Sequence, residues 1–320
     1  MKNLLALAAA ALGLLGAPAA LAQPYPAGPV TLVVPFAAGS GTDAVARAVG
    51  QKLSERLKQP VLIDNKPGAS AQVGAVFVAA AKPDGYTLFM TTNTSHSANP
   101  SLFKSLRYDP IKDFTPIARV GELPFALAVH PGVPARSLQE LIAHARANPG
   151  KLSYATPNST SLVATETIKR MAGVQMTAIP YKSSPQAMTD LIGGQVQVYV
   201  TDLGSGMSML KSDKIRTLAV TTAESTPLLP GVPPVGKTLP GFDLTSWNGI
   251  FGPAGLPPPV VDRLNAELQV VLADRELQGK LAQIGFQVSP SRTPAEFAQY
   301  VSAQLAHWTQ LIKQAGITPE

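Results

Sequence analysis

The segment Val30–Arg47, V-T-L-V-V-P-F-A-A-G-S-G-T-D-A-V-A-R, confines the chain to a narrow set of folds. The β-branched run Val30–Val34 predicts a buried strand, and Pro35 ends it. Gly39-Ser40-Gly41 predicts a turn in which the main chain can approach a ligand closely. Thr42 or Asp43 is then expected to cap a helix whose apolar face is Val45, Val49, Leu53 and Leu57. A strand feeding a helix through small residues leaves unpaired N–H groups at the helix start, where an anion is favoured.

The theme recurs. Val61–Ile63 and Tyr86–Thr91 read as further strands, with a small-residue helix over Gln72–Ala81. Such alternation predicts a parallel sheet with its loops gathered on one edge. A second unit follows, with strands over Phe125–His130, Leu152–Ala155, Thr177–Tyr181, Gln195–Thr201 and Ile215–Val220. Its helices run from Leu138 to Ala147 behind a Ser137 cap, from the polar loop Thr156–Ser161 to Ala172, and from Pro185 to Ile192. Ser246–Phe251 is a strand leading back to the first unit, and the remainder is helical: Pro259–Leu272, a short helix to Ile284, and Pro294–Ala315. The expected fold is α/β, two Rossmann-like lobes around a central cleft. Residues 23–122 with 249–320 are expected to form domain one, and 123–248 domain two.

Met1-Lys2-Asn3, the apolar run Leu4–Leu15 and Ala20-Leu21-Ala22 have the pattern of a secretory leader, so residues 1–22 are expected to be removed after Ala22. Export without any cysteine points to a free, monomeric periplasmic protein. Loss of Lys2, the one charge before Gln23, takes the formal net charge from +6 to +5. The charges are dispersed, and no basic run interleaved with aromatics suggests nucleic acid as a partner.

Catalytic signatures are thin. Gly39-Ser40-Gly41-Thr42-Asp43-Ala44 fits the dinucleotide pattern G-x-G-x-x-A, and Asp64 ends the next strand. An exported dinucleotide-dependent oxidoreductase is therefore a competing reading. The four residues between Val34 and Gly39, and the absence of a His set for hydride transfer, count against it. No G-x-S-x-G elbow, G-K-[ST] loop or paired-His metal spacing occurs, so no catalytic residue, metal or cofactor is expected. The strand-end loops instead concentrate neutral donors: Ser40 and Thr42; Ser70 and Gln72; Thr92, Asn93, Thr94 and Ser95. Thr156, Asn158, Ser159, Thr160 and Ser161 answer from the second unit, with Lys182, Ser183 and Ser184 beyond. His96 follows the third strand and is a candidate for lining the cleft. Donors without a nucleophile–base pair suit binding a polar anion rather than transforming it.

Several blocks resemble the tripartite tricarboxylate transporter substrate-binding proteins, or Bug receptors. The first segment resembles the family's P-F-x-x-G-G-x-x-D-x-x-A-R signature at Pro35, Phe36, Gly39, Asp43 and Arg47. D-N-K-P-G-A-S-A-Q-V-G resembles its N-R-P-G-A-G-G-N-I-G loop at Asn65, Pro67, Gly68, Ala69 and Gly74. P-D-G-Y-T-L, N-P-S-L-F, Y-D-P-x-x-D-F, N-P-G-K-L, I-P-Y-K, G-G-Q-V-Q-V and P-x-x-V-V-D-R-L-N are similar to further blocks, so the likeness spans the mature chain. The resemblance implies a hinged, type II-like, Venus-flytrap binding protein that captures organic acids. A ligand carboxylate would lie between Phe36–Thr42, including Ala37 and Gly39, and Ala69–Val73, including Ser70, Ala71 and Gln72. The far end would meet Thr156–Ser161, Lys182 and Asp202. The implied partners are the membrane subunits of the transporter, with a ligand-sensing role beside a two-component receptor as the alternative. Departures fall in these loops. Ser40 replaces a second glycine, Ser70-Ala71 replaces Gly-Gly, Gln72 replaces Asn, and Leu162-Val163 stands where a His often follows.

Overall fold

The computed structural model describes residues 25–320, so the expected leader and its cleavage site after Ala22 lie outside the described residues. Two β sheets divide the strands. The first has the order β11-β4-β10-β3-β1-β2. It contains β1 (Val30–Val34), β2 (Val61–Asn65), β3 (Thr87–Thr92), β4 (Phe114–Leu123), β10 (Ser246–Pro253) and β11 (Gln287–Val288). The second, β7-β6-β8-β5-β9, contains β5 (Phe125–Val129), β6 (Ser153–Thr156), β7 (Thr177–Pro180), β8 (Val198–Asp202) and β9 (Arg216–Val220).

Within the first sheet β1 pairs in parallel with β2 and β3, as the strand–helix alternation predicts. Their following loops therefore share one edge. The sheets are not wholly parallel, however. β10 runs antiparallel to both β3 and β4, and β5 runs antiparallel to β8 and β9. The sequence reading missed β4, because Pro116, Arg119 and Gly121 interrupt its apolar pattern. Its pairing with β10 absorbs the irregularity in two register shifts.

Helix α1 (Gly41–Leu57) buries Val45, Val49, Leu53 and Leu57 against the first sheet, the stripe expected from four-residue spacing. Ser40, not Thr42 or Asp43, is its N-cap, with extended backbone geometry. Helix α2 (Gln72–Ala79) follows β2, and a π turn over Thr94–Ala98 leads into the short α3 (Asn99–Leu102) after β3. In the second lobe, α4 (Leu138–Ala147) is capped by Ser137 as expected. Helix α5 spans Ser159–Ala172, α6 Ser184–Ile192 and α7 Leu203–Leu210. Asn158 caps α5, so half of the expected Thr156–Ser161 loop is helical. Helix α7 was not expected; its Gly-Ser-Gly start reads as a loop until Asp202 is recognised as its cap.

The chain crosses between sheets at Pro124, the single residue separating β4 from β5, and returns through residues 221–245 into β10. Thr221 ties the crossings together: its N–H donates to Phe125 O at 3.0 Å, and its carbonyl accepts from Leu244 N–H at 2.9 Å.

Three C-terminal helices complete the fold. Helices α8 (Pro258–Leu272) and α9 (Arg275–Gln283) pack on the first sheet with α1. Helix α10 (Pro294–Ala315) does not stay there. Phe297 and Val301 join Trp247 and Phe251 of the first lobe, whereas Trp308 and Ile312 join a core shared with Leu138 and Ile168 of the second. Each such large side chain contributes about 1.5–3 kcal/mol of burial, so the helix is anchored at both ends.

Candidate functional site

Loops at the C-terminal ends of β1 and β2 face the N-terminus of α5 across the cleft. The first is held rigidly from behind. Ser40 Oγ accepts from the Asp43 N–H at 3.2 Å. Asp43 turns its carboxylate back on the loop, where Oδ2 accepts from Gly39 N–H at 2.9 Å and from Arg47 Nε at 3.0 Å. Asn65 Nδ2 donates to Asp43 Oδ1 at 2.9 Å and to Phe36 O at 3.0 Å. Burial pushes the Asp43 pKa up, but hydrogen bonds from Arg47, Gly39 and Asn65 outweigh it and hold the carboxyl below the usual range. The motif residues Asp43, Arg47 and Asn65 thus fix the loop and line neither of the two chambers into which the cleft divides. With Gly39 N–H occupied, the unpaired donors at the start of α1 are the N–H groups of Gly41 and Thr42.

The second loop is strained. Ala69, Ser70 and Ala71 all adopt left-handed backbone, with φ of 46°, 51° and 70°. Non-glycine residues in this region cost of order 1–3 kcal/mol each and persist where neighbouring structure fixes them. Asn99 does so here, donating from Nδ2 to Ser70 O at 2.8 Å. The N–H groups of Ser70 and Ala71 have no partner among the described residues. Successive amides in such a turn form a concavity that favours an anion.

From the second lobe, Asn158 Oδ1 accepts from Ser161 N–H at 2.9 Å, leaving its Nδ2 without a partner among the described residues. The cleft is closed by buried side-chain bonds. Asn93 Nδ2 donates to Thr160 Oγ1 at 3.0 Å, and Ser159 Oγ donates to Thr94 Oγ1 at 2.9 Å. Ser246 Oγ in turn donates to Asn93 Oδ1. Asp202 accepts from the Ser205 N–H and hydroxyl, both at 2.7 Å, and burial raises its pKa. It abuts Gly41: a Cβ there would collide with Asp202 Oδ1, and one on Gly204 would collide with Gly41 Cα. Only glycines permit the two helix starts to meet so closely.

Closure divides the cleft into two chambers that share Asn158. The inner one, about 20 Å³, lies among Phe36, Ser40, Thr42, Thr92, Asn158 and Asp202, with room for about one water. The outer one, about 320 Å³, is lined by Ser70 from the first lobe and by Thr156, Asn158 and Ser159 from the second. Gly39 and Ala71 of the expected set line neither chamber; the Gly39 N–H is bonded to Asp43, and Ala71 lies in the strained loop. Ala37, Ala69 and Gln72 belong to the same two loops but line neither chamber.

Four expected residues point elsewhere. His96 is completely buried, its ring stacked 4.1 Å from Phe251 and 4.7 Å from Phe114, because the π turn directs it into the core. Burial holds its pKa down to about 3. Ser95 is spent on Thr91 Oγ1 at 2.6 Å and His96 Nδ1 at 2.9 Å. Ser161 donates to Val200 O at 2.7 Å inside the second lobe. Lys182 is exposed and lines neither chamber. Conversely, Leu123, Phe125 and Ser246 line the inner chamber from the crossing strands, and Leu102, Phe103 and Ile317 line the outer one. No local motif marks these positions; pairing between distant strands and the return of the C-terminus bring them in.

The fold is shared by known proteins. A UPF0065 protein of Bordetella bronchiseptica is 37% identical over 307 residues, covering 95% of this chain and 91% of that protein. A solved R. palustris protein with adipate superposes with a TM-score of 0.89 at 35% identity, covering 92% of this chain and all of the other. The periplasmic binding protein BugD matches with a TM-score of 0.88 at 34% identity, covering 92% and 100%. MatC from Rhodopseudomonas palustris with bound malate matches with a TM-score of 0.85 at 32% identity, covering 90% and 100%. The model of the tripartite tricarboxylate transporter family receptor matches residues 45–317, and the chain belongs to that family.

Proposed function

We propose that this protein is the periplasmic receptor of a tripartite tricarboxylate-type transporter, that it is monomeric after removal of residues 1–22, and that it captures a small organic acid in the cleft. The observation that carries the reading is the two sets of unpaired main-chain donors, at Gly41–Thr42 and Ser70–Ala71, on neighbouring loops of the first lobe opposite the start of α5. A carboxylate held by such donors is bound through charge-assisted hydrogen bonds, each worth about 1.5–3 kcal/mol. Adipate and malate in the related structures support an acid as the ligand. The proposed domain division, 23–122 with 249–320 against 123–248, places the crossings at the hinge. Closure would offer membrane subunits a surface composed of both lobes.

The ligand-stripped mature protein, screened by thermal shift and then calorimetry against organic acids, tests this. An acid should bind, and its methyl ester should lose roughly tenfold or more in affinity. Equal binding of acid and ester would exclude main-chain capture of a carboxylate.

A further inference from the structure

Resting on the reading of an acid-binding cleft, we infer that the ligand is a monocarboxylic acid with an apolar body, an aliphatic chain or an aromatic ring, rather than a di- or tricarboxylate. The outer chamber, at about 320 Å³, is large enough for a small ligand. Ser70, Thr156, Asn158, Ser159 and Thr318 offer it neutral polar groups. Leu102, Phe103, Leu162, Ala178, Pro180 and Ile317 supply apolar walls. Among the described residues lining the two chambers there is no Lys, Arg or His; the charged side chains are Asp202 in the inner chamber and Glu320 in the outer. Lys182, the nearest cation expected from the sequence, is exposed outside both.

A first carboxylate can be held by the unpaired amides of the strained loop. A second would lie in one of two places. In the inner chamber it would face Asp202, with space for little more than a water. In the outer chamber it would be partly desolvated among apolar walls and neutral polar groups, with Glu320 as the charged neighbour. Both placements disfavour a second negative charge, because the surroundings return neither a cation nor full hydration. An apolar body in the same place releases water from both surfaces. Leu162 is the pivotal wall residue. It lies on the first turn of α5, one position beyond the segment that closes the cleft, and is half-buried.

Calorimetry on the ligand-stripped mature protein with hexanoate, benzoate, adipate and citrate, and with hexan-1-ol as the uncharged control, tests the inference. Hexanoate or benzoate should bind at least tenfold more tightly than adipate, and hexan-1-ol should not bind measurably. In Leu162→Lys, checked as folded by circular dichroism, the order should shift at least fivefold toward adipate. Tighter binding of adipate or citrate by the wild type would overturn the monocarboxylate assignment and leave the acid-binding reading standing. Failure of all four acids with the folded protein, or hexan-1-ol binding as well as hexanoate, would overturn the acid-binding reading itself.

Discussion

His96 carries the clearest consequence at the scale of one residue. Its ring is fully buried among Phe251, Phe114 and Trp247, and Nε2 has no hydrogen-bond partner among the described residues. The folded pKa of about 3 lies below the ordinary value of 6.5, so the unfolded chain binds a proton that the native one refuses between these pH values. Stability from this residue is therefore full above about pH 6.5 and is lost as pH falls toward 3, with a limiting slope of about 1.4 kcal/mol per pH unit. Urea unfolding between pH 4 and 7 should show this slope, and His96→Leu should flatten it. Asp43 acts lower on the scale. Its depressed pKa adds stability that is present above the unfolded value near 4 and disappears as pH drops through the folded one. Asp43→Ala should cost about 1.5–3 kcal/mol at pH 7 by freeing the Gly39 N–H, Arg47 and Asn65 together, read as a lower urea midpoint.

At the scale of elements, the left-handed run Ala69–Ala71 makes an unusual demand. Replacing a helical Ala by Gly ordinarily costs about 0.5–1 kcal/mol. At Ala71 the left-handed backbone already costs roughly 1–2 kcal/mol, so Ala71→Gly should be neutral or slightly stabilising by urea titration. Ala71→Val should lose about 2 kcal/mol or more, since the position is buried and its φ excludes a β-branched side chain. Local patterns made much of this architecture legible. The stripe Val45, Val49, Leu53 and Leu57, the Ser137 cap and the three parallel strands are all written in short-range spacing. What the spacing hid was set at long range. β4 is a strand only because β10 returns from more than 120 residues away to pair with it, and Leu123 and Ser246 meet at the inner chamber through that register. Hydroxyls were easy to find and hard to rank. Ser70 reaches the outer chamber, whereas Ser95 and Ser161 are consumed by neighbours that no sequence motif names.

For the whole molecule, the question is what keeps the cleft shut. Asn93 links both lobes, bonding to Thr160 on one side and receiving Ser246 on the other, in a buried site. Asn93→Ala should remove about 1–2 kcal/mol from the closed form and shift the balance toward open roughly tenfold. Small-angle scattering of the ligand-free variant should then give a larger radius of gyration than the wild type, with an unchanged far-ultraviolet spectrum. The C-terminal helix α10 sets how such an opening proceeds. A stiff rod seated in one core by Phe297 and in the other by Trp308 forbids the lobes from simply drawing apart. Separation along the rod, or rotation of one lobe about it, would pull one aromatic from its socket, whereas a bend of the rod between the two seats leaves both filled. The motion left to the two lobes is thereby a bend of one helix. On the proposed receptor role, a membrane partner touching both lobes would need to read only that bend to learn whether the cleft is filled.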